Sequence, residues 1–338
     1  MKPRKILITG GAGFIGSNFT RYILGAHPEI EVTVLDKLTY AGNPDNLKEL
    51  EGKPRYAFIK GDICDEQAAE AAARGCDCIV NFAAETHVDR SIGDPASFIK
   101  TDVYGTYVLL EVTRKLGIPK FIQVSTDEVY GNAGTEPSGE TSPLMPQSPY
   151  AASKAGADRL AFAYFVTYGT PVVITRCSNN YGPNQYPEKM VPLFVTNALE
   201  DKPLPVYGTG RNTRDWIYVL DHAKALEAII AADGLEGEVL NIGSGVEVSV
   251  LEMAERILAA LGKPRSLITM VKDRPGHVLR HAVKTDKIRA AVGWKPEVDF
   301  DRGLEITIDW YAKNKWWWER IKSGEFKEYY RRMYSGLA

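Results

Sequence analysis

The sequence has few of the residues that build metal centres and disulfide scaffolds. Its 338 residues include 4 cysteines and 5 histidines, which are scattered along the chain. Cys76 and Cys78 are one residue short of the C-x-x-C redox spacing, and no histidine pair accompanies them. We therefore expect free thiols in a reducing cytoplasm and no bound metal.

Long apolar runs and an excess of one charge are also missing. No stretch approaches the roughly 20 apolar residues that cross a bilayer, and the run that begins at Ile6 is too short for a signal peptide. The 41 basic and 43 acidic residues give a formal net charge of −2, which provides no footprint for nucleic acid or an anionic membrane. With 44% apolar and 25% charged residues, the composition is that of an ordinary globular protein.

The first half of the chain alternates short apolar runs with helical patterns. Strands are predicted at 5–9, 31–36, 56–60, 78–82, 121–125 and 171–175. Helices are predicted at 13–24 and 67–73, within 95–115 and within 148–168. Strands that are apolar throughout and are separated by helices indicate a parallel sheet covered on both faces, so we predict a Rossmann-type, doubly wound α/β fold.

The pattern changes after Arg176, where turns and short elements replace the regular alternation. We predict an NAD-binding domain at 1–176 and a smaller C-terminal α/β lobe at 177–338, with a strand at 238–242 that could return to the main sheet. The Trp- and Tyr-rich tail at 310–334 is predicted as one packed amphipathic helix. Its Trp316–Trp318 run could alternatively form an interaction patch.

A glycine-rich turn, GGAGFIG at 10–16, follows the first strand and opens the first helix. Glycines let backbone amides approach a pyrophosphate, and the helix N-terminus favours its charge. Asp36 ends the second strand twenty residues after Gly16, where a carboxylate can hold the ribose hydroxyls of an adenosine and repel a 2′-phosphate. Asp62 and Ile63 would flank the adenine. The pattern predicts a dinucleotide site that prefers NAD to NADP.

Tyr150 and Lys154 are four residues apart on a predicted helix and therefore share one face. A nearby ammonium lowers the pKa of a phenol and makes tyrosine a usable base near neutral pH. The same Y-x-x-x-K pattern occurs at 56–60, on a predicted strand, and at 311–315, in the tail. The pair at 150–154 is the one that follows the fifth strand of a dinucleotide fold, so it is the catalytic candidate.

Several motifs indicate a family. Those that resemble the extended short-chain dehydrogenase/reductase family are TGGAGFIG at 9–16, YAASK at 150–154 and NNYGP at 179–183. Within that family, five further motifs resemble those of the dTDP-glucose 4,6-dehydratases. They are DKLTYAGN at 36–43, STDEVYG at 125–131, RCSNN at 176–180, RDW at 214–216 and DRPGH at 273–277. The resemblance extends to about Phe300, and the Thr-Asp-Glu that ends the fifth strand is its most discriminating motif.

The resemblance implies redox-neutral removal of water from a nucleotide-linked glucose, with tightly held NAD. Tyr150, assisted by Lys154, would take the 4-hydroxyl proton while C4 gives a hydride to NAD, and Thr126 would orient the same oxygen. Glu128 would remove the C5 proton while Asp127 protonates the departing 6-hydroxyl, and the hydride would return to C6. Because the two carboxylates are adjacent, their pKa values should diverge and leave one protonated as the acid.

The same resemblance implies two sets of contacts. The cofactor contacts are Gly10, Gly13, Phe14, Ile15, Gly16, Asp36, Lys37, Thr39, Asp62, Ile63, Ala83, Ala84, Thr101, Ser125, Tyr150, Lys154 and Asn180. The substrate contacts are Glu85, His87, Thr126, Asn179, Lys189, Met190, Pro205, Tyr207, Arg214, Arg274 and His277. Arg214 is the first candidate for the diphosphate and Arg274 the second.

Five positions depart from the pattern of that family. Val246, Val278, Leu279 and His281 stand where Asn, Asp, Arg and Tyr are usual, and Asp102 replaces the usual Asn. The first four cluster in the predicted nucleotide-binding lobe, so the identity of the base stays open. A valine cannot replace the hydrogen bonds of an amide.

Other functions of the same fold remain as alternatives. They are a UDP-glucose 4,6-dehydratase, and a 4-epimerase or a decarboxylase of nucleotide sugars, of which the epimerase does not need the carboxylate pair. A non-catalytic NAD-responsive regulator would be expected to lack Tyr150, Lys154 or the glycines, all of which are present. Because the family is typically dimeric, we expect a homodimer through a four-helix bundle built from the helices within 95–115 and 148–168.

Overall fold

The computed structural model describes residues 3–333. The strands are β1 (Lys5–Thr9), β2 (Glu31–Asp36), β3 (Tyr56–Lys60), β4 (Cys78–Asn81), β5 (Phe121–Thr126), β6 (Val172–Cys177), β7 (Asn179–Tyr181), β8 (Leu204–Tyr207), β9 (Thr213–Tyr218), β10 (Val239–Ile242), β11 (Glu247–Ser249), β12 (Ile268–Val271) and β13 (Arg280–His281). The helices are α1 (Phe14–Ala26), α2 (Glu66–Ala73), α3 (Val88–Gly93), α4 (Pro95–Phe98), α5 (Gly105–Leu116), α6 (Pro149–Tyr168), α7 (Met190–Leu199), α8 (Val219–Ala231), α9 (Val250–Ala260), α10 (Asp286–Val292), α11 (Phe300–Lys313), α12 (Lys315–Ser323) and α13 (Glu325–Met333).

A seven-stranded parallel sheet forms the centre of the molecule, in the order β10-β6-β5-β4-β1-β2-β3. The strands β1, β4, β5 and β6 are buried almost throughout, because helices cover both faces of the sheet. The predicted doubly wound fold is therefore confirmed. The strand order reverses between β1 and β4, and such a reversal opens a crevice at the carboxyl ends of the strands.

The helix expected within 95–115 contains a wider turn. The α4 helix continues into a π-helical turn, Ile99–Tyr104, and then into α5, and the residues at both junctions keep right-handed helical dihedral angles. This turn places Asp102 inside the protein, where it is 1% exposed.

The smaller lobe is built around a second sheet. In it β9 pairs with β7, β11 and β13. The strands β8 and β12 form a separate two-stranded sheet. The core of the lobe contains Phe194, Trp216 and Met253 together with the aromatic residues of the tail. The strand expected near 238–242 lies at Val239–Ile242 and pairs with β6, so the chain returns to the main sheet before it enters β11. The division at residue 176 stays a prediction.

The prediction of one long C-terminal helix is wrong. The chain forms α11, α12 and α13, with breaks at Asn314 and Gly324, and Tyr334 lies outside the described residues. Trp317 and Trp318 are buried in the lobe core, and Trp316 is exposed. The indole nitrogen of Trp317 donates to Asn46 at 2.9 Å, which ties the tail to the main domain. Among residues 3–333, no helix combines the length and apolar character needed to cross a membrane.

Candidate active site

The glycine turn forms the floor of a cleft at the carboxyl ends of β1 and β4. Gly10 has a φ of +69°, and a Cβ atom there would lie 2.7 Å from the backbone nitrogen of Ala83. A Cβ atom on Gly16 would lie 2.4 Å from the carbonyl oxygen of Gly10. Gly13 occupies the N-cap of α1, so no side chain stands between the helix terminus and a bound phosphate. The turn therefore fits the pyrophosphate of a dinucleotide.

Asp36 lies at the end of β2 on the wall of this cleft. Its carboxylate accepts the amides of Ala12 at 2.9 Å and Leu38 at 2.8 Å. Burial raises the pKa of Asp36, and these two hydrogen bonds act against the rise. The neighbouring Lys37 lies 2.7 Å from a carboxylate oxygen of Asp62. The charge of Lys37 is thus engaged by Asp62 and does not pair with Asp36.

The two carboxylate residues of the predicted catalytic set, Asp127 and Glu128, follow β5 directly. Thr126 caps the 3-10 turn Asp127–Tyr130: its hydroxyl accepts the amide of Glu128 at 3.3 Å and donates to Asp127 at 3.2 Å. Asp127 is 3% exposed, and its Oδ2 atom has no hydrogen-bond partner among the described residues. Burial raises the pKa of Asp127 well above its ordinary value, and the charges of Glu128 and Asp215 raise it further. Asp127 therefore holds a proton more readily than an ordinary carboxyl group does.

Tyr150 and Lys154 lie on the first turns of α6, whose N-cap Ser148 accepts the amide of Ala151 at 3.1 Å. The ammonium of Lys154 donates to the carbonyl of Val124 in β5 at 2.7 Å. Burial raises the pKa of Tyr150 and lowers that of Lys154. Both residues line the same cleft as Thr126, Asp127 and Glu128.

Arg214 approaches the acids from the smaller lobe, on strand β9 and not in a loop. It is 8% exposed and donates to the carbonyls of Thr213 at 2.7 Å and Val278 at 3.1 Å. Burial lowers the pKa of Arg214 to about 10, against the charges of Glu128 and Asp127. A buried guanidinium held by two neutral carbonyls is well placed to receive an anion.

A second polar group surrounds Asp89. Its carboxylate accepts Arg274 at 3.1 Å and the hydroxyl of Tyr207 at 3.3 Å. The rings of Tyr207 and His277 meet edge to face, with centroids 6.2 Å apart. Asp89 thus holds Arg274 and Tyr207 together, with His277 against the Tyr207 ring. The sequence analysis did not single out Asp89.

All the cofactor contacts and all the catalytic residues expected from the sequence line the cleft. Of the expected substrate contacts, those that line it are Glu85, Thr126, Asn179 and Lys189. Those outside its lining are His87, Met190, Pro205, Tyr207, Arg214, Arg274 and His277. The roles of these residues stay predictions.

Some cleft residues carry no motif of their own. They include Thr86, Val124, Gln185 and Tyr186. His222, which is fully buried, has its Nδ1 atom 3.0 Å from the Oδ1 of Asn180 and so orients that amide. Burial lowers the pKa of His222 to about 3, so its imidazole is neutral. Asn180 and His222 are 42 residues apart, and no local pattern could have revealed their contact.

Residues 7–307 match the family model described as GDP-mannose 4,6 dehydratase. The chain belongs to the GDP-mannose 4,6 dehydratase family. Within this family it is similar to the dTDP-glucose 4,6-dehydratase of Streptomyces niveus, with 49% identity over 94% of this chain and 96% of that relative. It is also similar to dTDP-glucose 4,6-dehydratase 1 of Escherichia coli, with 43% identity over 98% of this chain and 99% of the relative.

Solved structures show the same relationship. The NAD-bound crystal structure of DesIV, a dTDP-glucose 4,6-dehydratase from Streptomyces venezuelae, has a TM-score of 0.92 at 48% identity and covers 94% of this chain and 100% of its own. The NAD complex of Thermus thermophilus UDP-glucose 4-epimerase has a TM-score of 0.84 at 32% identity, covering 92% and 99% of the two chains. Fold similarity therefore spans more than one reaction.

The departures from the family pattern near the nucleotide lobe have different surroundings. Val278 contributes its backbone carbonyl to Arg214, so the identity of its side chain is not used in that contact. Val246 and Leu279 are exposed. His281 is 3% exposed and lies opposite Arg214 in the parallel pairing of β13 with β9.

Proposed function

We propose that this chain is a dTDP-glucose 4,6-dehydratase that converts dTDP-glucose to dTDP-4-keto-6-deoxyglucose and water. The observation that carries the proposal is the arrangement of Thr126, Asp127 and Glu128 at the end of β5, in one cleft with Tyr150 and Lys154. An epimerase needs the tyrosine, the lysine and the hydroxyl, but it has no use for two carboxylates. The 49% identity to a dTDP-glucose 4,6-dehydratase supports the same choice.

Oxidation at C4 is assigned to Tyr150 and Lys154, which lie on α6. Bound NAD supplies a reversible hydride acceptor in the cleft. Burial raises the pKa of Tyr150, so the phenolate that accepts the proton of the 4-hydroxyl depends on the positive charge of Lys154 on the same face of α6. Thr126 hydrogen-bonds the same oxygen and orients it. The resulting 4-ketone acidifies the hydrogen at C5.

Elimination of water across C5 and C6 is assigned to the two carboxyl groups after β5. Glu128 accepts the C5 proton, and Asp127 donates its proton to the departing 6-hydroxyl, which leaves as water. The C5–C6 double bond that results would then take up at C6 the hydride removed from C4 and at C5 the proton held by Glu128. The raised pKa of Asp127 supports this assignment, because a general acid must be protonated when it acts. Adjacent residues in a tight turn point in different directions, so one can address C5 and the other C6.

The nucleotide diphosphate is assigned to the smaller lobe. Arg214 is the principal ligand because it is buried beside the acids and bound to neutral carbonyls. Lys189, whose ammonium donates to the carbonyl of Thr86, and Arg274 complete the positive side of the site. Residues 1–176 would then hold the cofactor and 177–338 the nucleotide sugar, in a cytoplasmic protein whose four cysteines are all free.

We propose a homodimer through α5 and α6. Five large apolar side chains on these helices and on the π-helical turn are exposed: Ile99, Tyr104, Tyr107, Val166 and Tyr168. A patch of this kind on packed neighbouring helices is suited to a second copy of the chain, which would complete a four-helix bundle.

The reaction is tested by incubating the protein with dTDP-glucose and UDP-glucose in parallel. A 4-keto-6-deoxy sugar develops a characteristic absorbance in alkali, and we expect it first and fastest from dTDP-glucose. Keto-sugar formation from UDP-glucose alone would overturn the choice of base. Epimerised or decarboxylated sugar without a keto product would overturn the reaction.

A further inference from the structure

Asp102 forms a buried bridge between two parts of the site. Its Oδ2 atom accepts the hydroxyl of Ser153 on α6 at 2.6 Å, and its Oδ1 atom accepts the amide of Glu85, in the loop after β4, at 2.9 Å. Ser153 directly precedes Lys154, and its hydroxyl also lies 2.8 Å from the carbonyl of Tyr150. The bridge therefore reaches both members of the catalytic pair through one side chain.

The ammonium of Lys154 needs a counter-charge, because a buried cation is costly unless an anion accompanies it. Its hydrogen bond goes to the neutral carbonyl of Val124. Among the charged groups around it, Asp102 acts most strongly on Lys154. Asp158 also faces Lys154, but it is engaged in a buried ion pair with Arg176 at 2.8 Å.

The groups that face this network come from several elements. Lys154 and Glu85 face Asp102, while Glu128 and Cys177 face Tyr150. Burial raises the pKa of Asp102 to about 7, and the charge of Lys154 acts against the rise. The carboxyl group therefore changes its charge near neutral pH.

We propose that Asp102 is a positioning residue that serves as the counter-charge of Lys154 and so sets the pH range in which Tyr150 acts as a base. This inference rests on the proposed role of Tyr150 and Lys154. The negative charge of Asp102 disfavours loss of a proton from the Tyr150–Lys154 pair, and the three groups titrate as a coupled system. An asparagine at this position would supply no such charge.

The test is the Asp102→Asn variant, which removes the charge and keeps the contacts. The amide oxygen can accept from Glu85, and the amide nitrogen can donate to Ser153, whose own proton goes to the Tyr150 carbonyl. The measurement is the pH dependence of kcat/KM with dTDP-glucose. We expect the acidic midpoint to move to lower pH by about one unit. A midpoint that coincides with that of the unsubstituted protein would overturn the proposal.

The matched control is Asp309→Asn, which removes an exposed carboxylate paired with Lys313 on α11. Its charge is screened by solvent, so the midpoint should not move. A shift as large as that of Asp102→Asn would show a general effect of net charge and would contradict the proposal. Should Asp102→Asn fail to fold, Asp102→Ser removes the same charge and is measured in the same way.

A second measurement does not depend on turnover. Because the pKa of Asp102 is raised in the folded state, the folded protein holds a proton that the unfolded chain has lost between about pH 4 and pH 7. The stability that Asp102 confers is thus present below this range and is lost as pH rises through it. As pH rises through this range, the free energy of unfolding of Asp102→Asn should increase relative to that of the unsubstituted protein. If the difference between the two proteins stays constant with pH, the proposal is overturned. If the unsubstituted protein forms no keto sugar, the proposed function fails. The stability comparison still tests whether the charge of Asp102 is buried in the folded protein.

Discussion

Asp127 and Glu128 are neighbours in the chain but have different surroundings. Asp127 is buried, with one carboxylate oxygen unpartnered among the described residues, whereas Glu128 is partly exposed on the same turn. Burial raises the pKa of Asp127, and the charge of Glu128 raises it further. This difference in burial supports the proposed assignment of Asp127 as the acid.

The Glu128→Gln variant tests this separation. It should still oxidise C4, because Tyr150 and Lys154 are untouched, but dehydration should fall by about 10²- to 10⁴-fold as the C5 base is lost. The measurements are the exchange of the C5 hydrogen with solvent, which should disappear, and the rate of keto-sugar formation. Asp127→Asn is the paired variant and should retain C5 exchange without loss of water. Unimpaired dehydration by Glu128→Gln would contradict the assignment.

The sequence was sufficient to predict the location of site residues that end or follow a strand. Gly10, Asp36 and Tyr150 were located because each follows or ends a predictable strand, and the structure places all three in one cleft. It was insufficient where contacts join distant segments. The contact between Asp102 and Ser153 spans 51 residues and depends on a π-helical turn that leaves no periodic signal.

At the scale of elements, the two ends of α1 differ in how much space they leave for a side chain. Gly16 lies where a Cβ atom would clash with the backbone of the glycine turn, whereas Gly25 near the end of the same helix has open space around it. Both are glycines of one helix, so they form a natural pair for comparison.

Gly16→Ala should therefore destabilise the fold by about 1–3 kcal/mol through overpacking and weaken NAD binding. Gly25→Ala should be neutral or stabilise by about 0.5–1 kcal/mol, because alanine loses less backbone entropy on folding than glycine does. The measurements are thermal unfolding and NAD titration of both variants. Equal effects of the two substitutions would contradict the described packing of the turn.

The tail shows why element boundaries are harder to predict than element types. Aromatic residues at helical spacing were expected between 310 and 334, and helices do occur there as far as Met333. The breaks at Asn314 and Gly324 bound the helix that carries Trp317 and Trp318 into the lobe core. Tertiary packing thus outweighs the local helical pattern.

At the scale of the whole molecule, the exposed apolar side chains of α5 and α6 determine the expected assembly. Tyr107→Glu would place a charge within the proposed dimer interface and should convert the protein to monomers. Sedimentation equilibrium measures the change as a halved molar mass. Met270→Glu, at another exposed apolar position, on β12, is the control and should leave the dimer intact. A dimer that survives Tyr107→Glu would contradict the interface.

The central claim is that C4 loses the hydrogen that C6 gains, within one site and without net oxidation. It is tested most directly with dTDP-glucose that carries deuterium at C4, followed by mass spectrometry and NMR of the product. The account predicts a 4-keto-6-deoxy sugar with deuterium in its C6 methyl group. Deuterium that is lost to solvent, or that is found again at C4, would contradict it.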